Sequence, residues 1–328
     1  RRDGIAIAQY PAVFNYSAMN NLGIREASFG EQVGRIIAES ERVLTDERPD
    51  RVVILGDTNS GLAAFVAARM GIPVFHLEAG NRCFDDRVPE EINRRVIDHC
   101  SAVLMPYTER SRANLIREGV AGERIFVTGN PIFEVLEFYR DRIDASPALA
   151  DLGLEPGSYL LTTLHRQENV DNPARLRSLV GAMDALAAEF AAPVVVSVHP
   201  RTARRLADQG VAPSDPRVQL LPPFGLFDFV ALERGARIVL SDSGTVQEEC
   251  CILGVPAVTL RDVTERPETI ECGSNVLAGA EPAGIVRAAR VADGAAGWTP
   301  PREYLVDRVS ATVSRIVTGF HSGMRNAS

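Results

Sequence analysis

A chain of 328 residues, 45% apolar and 24% charged, holds more apolar material than one ordinary core needs, so two domains are expected. The formal net charge of −8 argues against a nucleic-acid or anionic-membrane surface. No apolar run is long enough to span a bilayer, and the opening RRDGIAIAQYPAVF is too short and interrupted for a signal peptide, so a cytoplasmic protein is expected.

In chain order, helical periodicity covers 30–44, and an apolar strand-like run at 52–55 ends in Gly56-Asp57-Thr58-Asn59-Ser60. A helix at 61–70, a strand at 73–77, a helix at 90–99, a strand at 102–105, a helix at 109–118, a strand at 124–128 and a helix at 132–143 follow. This alternation predicts a parallel, doubly wound α/β sheet. The stretch 144–157 (DASPALADLGLEPG) reads as a linker. The pattern then restarts: strands at 159–163, 193–198, 218–221, 238–241 and 257–260, helices at 174–190, 227–234 and 246–253, and closing helices at 282–290 and 304–320. The expected organisation is two Rossmann-like parallel-sheet domains, 1–145 and 146–328, with a cleft between them.

The odd set Cys83, Cys100, Cys250, Cys251 and Cys272 has no CxxC pair and reads as reduced thiols. The histidines show no HxxxH spacing, so no zinc site is expected. GxGxxG, GxxxxGK[ST] and GxSxG are all missing, which disfavours a nicotinamide enzyme, a P-loop ATPase and an α/β-hydrolase.

Ligands of open parallel sheets bind at the carboxyl ends of strands. Asp57, Glu78, His165, His199 and Ser243 all fall at such ends. The densest stretch is 76–95, HLEAGNRCFDDRVPEEINRR. Glu78 follows a strand, and Pro89, Glu90 and Glu91 read as a first helical turn, since proline fits the first helical position and acids favour a helix N-terminus. Arg94 lies one turn beyond Glu90 on the same face. The segment suits acid/base work on an anionic substrate, and equally a loop with a salt-bridged helix. Ser243-Gly244-Thr245 opens a helix after a strand, an arrangement that seats phosphate or merely caps the helix. Glu249, inside that helix, could accept from a ribose hydroxyl pair or sit in a buried ion pair. Arg266 suits bidentate phosphate contact, or belongs to a solvated charge run. His165 and Arg166 offer polar donors at a strand end. Phe229 reads as core, with base stacking the alternative.

Taken together and in order, GDTNS, HLEAGNR, PEEINRR, TLHRQEN, VHPRT, SDSGTVQEE and RDVTERPE resemble the non-hydrolysing UDP-N-acetylglucosamine 2-epimerases over about 30–279. The resemblance implies a glycosyltransferase-B type fold, a UDP-sugar as substrate, a last helix that crosses back to the first domain, a homodimer, and no metal or redox cofactor. It implies that C2 of the sugar is inverted by loss of UDP to a 2-acetamidoglucal and re-addition. Residue by residue it makes Asp57, Glu78 and Glu90 the acid/base candidates. Arg94 is implied as the charge partner that positions Glu90 or the diphosphate, with His165 on the diphosphate and Arg166 beside it. Ser243, Gly244 and Thr245 match the phosphate seat, Glu249 the ribose ligand, Arg266 a further diphosphate or acid partner, and Phe229 the uracil-stacking aromatic.

The sequence departs from the family at three places. The opening residues through Ser17 do not match the family's first strand and GTRPE-like loop, so an incomplete first domain is expected. Thr245 stands where a second glycine is usual. NRCFDDRVPEE is closer to relatives acting on modified UDP-sugars, such as UDP-N-acetylfucosamine or diacetamido-uronate 2-epimerases. A UDP-sugar glycosyltransferase and an inactive UDP-sugar binder are the competing functions. The set of three acids speaks against the transferase, which needs no acids on both faces of the ring.

Overall fold

The computed structural model describes residue 24, residues 28–295 and residues 297–320. The expected absence of an opening strand and loop falls on positions 1–23, outside the described residues. The chain divides into two compact units. One runs to Glu134 and resumes at Val306; the other is Val135–Leu305.

The first unit carries β1 (Val52–Leu55), β2 (Val74–Leu77) and β3 (Val103–Met105), parallel and in the order β1-β2-β3. One face of the sheet packs Phe75, Leu77, Val103 and Met105 against Val309 and Val313 of the helix Val309–Gly319. Phe320 closes that core, edge-on to Phe75 at 6.2 Å and to Phe126 at 5.9 Å. Arg51 secures the same end by donating to the carbonyls of Thr318 (3.3 Å) and Phe320 (3.2 Å). On the opposite face Val74 packs with Ala64 and Ala67 of the helix Ala63–Arg69 and Ile97 of the helix Pro89–Cys100. The helix Phe29–Glu47 starts with a capping box, in which Ser28 and Glu31 satisfy each other's backbone N–H.

The second unit holds β4 (Leu160–Leu164), β5 (Val194–Val198), β6 (Val218–Leu221), β7 (Ile238–Ser241), β8 (Ala257–Thr259) and β9 (Asn275–Leu277), all pairs parallel, in the order β6-β5-β4-β7-β8-β9. Strand residues alternate between faces, as a pleated strand requires. Leu160, Val194, Val196, Ile238 and Leu240 pack under the helices Pro173–Phe190 and Pro282–Asp293. Leu161, Val195 and Val239 pack with Leu232, Val246 and Cys250 on the other side. This is the doubly wound order whose direction reverses between the first strand, β4, and the fourth, β7.

Several expectations are corrected. Residues 124–128 form no strand: Ile125 makes a single bridge to Leu104, and Phe126 N–H donates to the Leu104 carbonyl at 2.9 Å. Pro106 follows β3 at once and has no N–H with which to extend the ladder. The helix expected at 132–143 breaks at Tyr139 into Ile132–Phe138 and Arg140–Asp144. The stretch 144–157 is no bare connection, because it contains the helix Ala148–Asp151 and buries Ala148 and Leu154 in the second unit's core. The last helix begins only at Val309, after Arg308 turns into the left-handed region at φ 57°. The helix Pro200–Gln209, the helix Pro267–Glu271 and β9 had no counterpart in the sequence reading. No described helix is long and apolar enough to cross a membrane.

Candidate active site

In the first unit the exits of β1 and β2 lie side by side. Glu78 leaves β2 with φ 67°, a left-handed value rare for a side-chain-bearing residue. Its carboxylate lies against Gly56, where a Cβ would come within 3.2 Å of Glu78 Oε2. Asp57 is the next residue, so two of the expected acids stand at adjoining exits. Asn81 Nδ2 donates to Glu78 Oε1 at 3.3 Å. Asp57 Oδ2 accepts from Arg94 Nε at 3.0 Å and also from Arg94 Nη2. The Asp57 carbonyl accepts from Asn93 Nδ2 at 3.0 Å.

Arg94 also donates to Glu91, at 2.6 Å. Glu91 is fully buried, whereas Glu90 is half-buried on the same first turn. The Glu91 carboxylate further accepts from the backbone N–H of Cys83 (3.0 Å) and Phe84 (3.1 Å) and from Arg95 (3.1 Å). Burial would raise its pKa; the Cys83 N–H and the Arg94 charge outweigh that and hold it below the usual carboxylate range. Glu91 thus anchors the loop 83–84 and aims Arg94 at Asp57. The sequence marks Glu91 only as an acid of the first helical turn, although two adjacent glutamates on one turn must point to different sides.

In the second unit the expected site residues His165 and Ser243 lie at the carboxyl ends of β4 and β7, the point where the strand order reverses. Asp242 is fully buried there. It accepts from the backbone N–H of His165 (both oxygens, 3.1 Å) and Arg166 (2.9 Å) and from Asn169 Nδ2 (3.0 Å). His165 Nδ1 lies 3.0 Å from Asp242 Oδ1, and the ring is 40% exposed. Burial opposes ionisation of Asp242, but the His165 charge and the converging donors hold its pKa below the ordinary value. Asp242 thereby orients the partly exposed His165 ring. His199 caps the helix Pro200–Gln209 by accepting from Arg201 N–H at 3.2 Å. Burial, then the neighbouring His165 and Arg201 charges, lower its pKa.

Ser243 precedes the helix Gly244–Leu253 without capping it through its side chain. Gly244 is buried beneath the Arg266 guanidinium, which a Cβ there would meet at 3.6 Å. Thr245 is exposed at the first turn. Free N–H groups, a positive helix end and a guanidinium therefore converge, a combination suited to a diphosphate. Arg266 is itself held by Glu248. Arg261, buried on the same loop, pairs with Glu265 at 2.6 and 3.0 Å. Glu249 is buried one turn further in, and burial, with the Glu248 charge, pushes its carboxyl up to about 7. Beside it Glu233 is fully buried and pushed well above the ordinary range, by burial and then by the Glu249 charge. Phe229 is half-buried and packs on the second core. Cys251 and Cys272 lie with their sulfurs 3.6 Å apart. No group of three or more metal-ligating side chains occurs among the described residues.

The sequence model of a family described as UDP-N-acetylglucosamine 2-epimerase matches residues 8–317. The UDP-N-acetylglucosamine 2-epimerase of Methanocaldococcus jannaschii is 42% identical over 278 residues, covering 83% of this chain and 76% of that protein. The UDP-2,3-diacetamido-2,3-dideoxy-D-glucuronate 2-epimerase of Pseudomonas aeruginosa is 38% identical over 276 residues, covering 83% of this chain and 76% of that one. The crystal structure of the M. jannaschii enzyme in complex with UDP-GlcNAc and UDP superposes with a TM-score of 0.86 at 39% identity, covering 90% of this chain and 83% of that chain. Two parallel-sheet units and a match along nearly the whole sequence lead to one assignment: the chain belongs to the non-hydrolysing UDP-N-acetylglucosamine 2-epimerases, isomerases with a glycosyltransferase-B type fold.

Proposed function

We propose that this protein inverts C2 of a UDP-N-acetylhexosamine, converting UDP-GlcNAc to UDP-ManNAc through a 2-acetamidoglucal. A carboxylate removes the C2 proton as the C1–O bond breaks and UDP leaves with the bonding pair. The proton is then returned to C2 from the other face while UDP adds back at C1, so atoms and charge balance without an external reactant. Asp57, Glu78 and Glu90 are the proposed proton-handling acids. His165, Arg166, Ser243, Gly244, Thr245 and Arg266 are proposed to hold the diphosphate, Glu249 the ribose and Phe229 the uracil. Arg94 is assigned to Asp57 as its charge partner.

The observation that carries this reading is the placement of Glu78 and Asp57 at adjoining strand exits, in a chain whose other unit offers a helix N-terminus, Arg266 and His165 held by Asp242. A transferase has no use for the first of these. NMR of the protein with UDP-GlcNAc in deuterated water tests it. Deuterium is expected at C2 of both epimers, and its failure to enter C2 would sink the proposal for this sugar. A diacetamido-uronate substrate is the second reading, favoured by the P. aeruginosa relative and by the loop NRCFDDRVPEE. The same experiment with that sugar decides between them.

A further inference from the structure

We propose that Asp98 and His76 are positioning residues that lock Glu78 and Asp57 into their reactive placement. This rests on the proton-handling role proposed for those two acids. A glutamate at φ 67° is held in the left-handed region, where its Cβ crowds the following carbonyl. Such a conformation persists only where the surroundings over-determine it. Here the residues two before and two after Glu78 are both tied to the same carboxylate. Asp98 Oδ1 accepts from His76 Nδ1 at 2.7 Å, and Asp98 Oδ2 accepts from Gly80 N–H at 3.2 Å. Arg82 also reaches Asp98 Oδ2, at 2.8 Å. Gly80 sits at φ 77° with its backbone pressed on the Ser111 carbonyl, where a Cβ would come within 2.3 Å, so the loop has nowhere to retreat.

The clamp extends to the neighbouring strand. His76 Nε2 lies 3.0 Å from the Gly56 carbonyl, directly before Asp57. The Asp98 carboxylate can only accept, so Nδ1 donates to it, and that bond turns the Nε2 edge of the ring toward the Gly56 carbonyl. One carboxylate on the helix Pro89–Cys100 therefore fixes both strand exits. Asp98 and His76 are fully buried and Arg82 nearly so. Glu118 accepts from Arg82 Nε (2.8 Å) and Nη2 (2.6 Å), and the Asn81 carbonyl accepts from Nη1 (2.8 Å), leaving the group internally paired. Burial works against an ionised Asp98, but the bond and charge of His76 and the charge of Arg82 outweigh it and keep its pKa below the usual range. Neither Asp98 nor His76 is in contact with the exposed side of the exits. Their effect on chemistry is through where Glu78 and Asp57 point.

The test compares the wild type with Asp98→Asn, which keeps the shape and removes the charge. C2 deuterium exchange on UDP-GlcNAc gives kcat and KM, and calorimetry gives the Kd for UDP. Asp98→Asn is expected to lower kcat about 100-fold, the cost of a displaced reacting group, with KM and the UDP Kd within about threefold of wild type. Combined with Glu78→Gln it is expected to slow that variant by no more than about twofold, since both changes remove the same function. A folded Asp98→Asn with kcat within about threefold of wild type overturns the proposal, and so does a full multiplicative loss in the double variant. If Asp98→Asn does not fold, His76→Gln is judged by the same criteria. Failure of both to fold overturns the proposal in favour of a purely structural role. No exchange by the wild type overturns UDP-GlcNAc as the substrate instead, and so separates the two failures.

Discussion

In the first unit Glu78 and Asp57 stand on left-handed or glycine-led turns, and side chains hold them: Arg94, Asn81, and behind them Asp98 and His76. In the second unit the proposed diphosphate seat is mostly backbone, a helix end beside the exits of β4 and β7, with Asp242 gathering two backbone N–H groups and a histidine. The contrast follows from what each region is proposed to handle. An anion needs converging donors, and the reversal of strand order in a doubly wound sheet supplies those by topology. A proton transfer needs a carboxylate within a fraction of an ångström of one carbon, and topology alone does not deliver that.

The largest expected effect breaks the first region while sparing the second. Glu78→Gln should lower kcat by about a thousandfold, the scale of a lost general acid or base, with the UDP Kd unchanged within about twofold in calorimetry. Parallel losses in both would mean the two regions do not divide the work. The converse break is Asp242→Ala, which strips the partner from two backbone N–H groups, Asn169 and His165. Removing one member of such a buried pair should cost about 3 to 5 kcal/mol in urea unfolding. Because the folded pKa of Asp242 is depressed, its contribution is complete above the unfolded value of about 4 and disappears as pH falls through the folded one. The wild type should therefore lose more stability than Asp242→Ala on acidification below about pH 4.

Glu249 runs in the opposite sense. Its folded pKa of about 7 lies above the ordinary 4.5, so its contribution to stability is lost as pH rises between those values. A ribose hydroxyl donating to it would favour the ionised form, so UDP binding should release a proton. Affinity should be about tenfold weaker at pH 6 than at pH 8, relative to Glu249→Gln, which cancels the titration of the diphosphate itself. Calorimetry in buffers of different ionisation enthalpy reads that proton, and none released would exclude Glu249 as the ribose ligand. The smallest effect is Phe229→Leu, which keeps the core contact and removes a stacking face. A loss of UDP affinity of about fivefold is expected, and an unchanged Kd would leave Phe229 as core alone.

The sequence made the alternation of strands and helices legible because buried parallel strands are short apolar runs, and all five flagged strand ends, Asp57, Glu78, His165, His199 and Ser243, lie beside strand exits in the structure. Periodicity failed where burial is slight. The helix Pro200–Gln209 buries only Thr202 and Leu206, and β9 is three residues long. It also could not tell Glu90 from Glu91, or find Asp98, His76 and Asp242 as partners. Their roles depend on pairs 18 to 77 residues apart in the chain, which no local spacing encodes.

The helix Val309–Gly319 has a consequence for synthesis. It completes the core of a unit whose strands ended at Met105, with the whole of Val135–Leu305 made in between. At roughly 5 to 20 residues per second, the sheet carrying Glu78 waits on the order of 10 to 30 s on the ribosome with Phe75 and Met105 uncovered. The second unit is contiguous and can close first. Chaperone dependence of this protein should therefore fall on its earliest-made strands, and a circular permutant that places 306–320 ahead of residue 28 should relieve it.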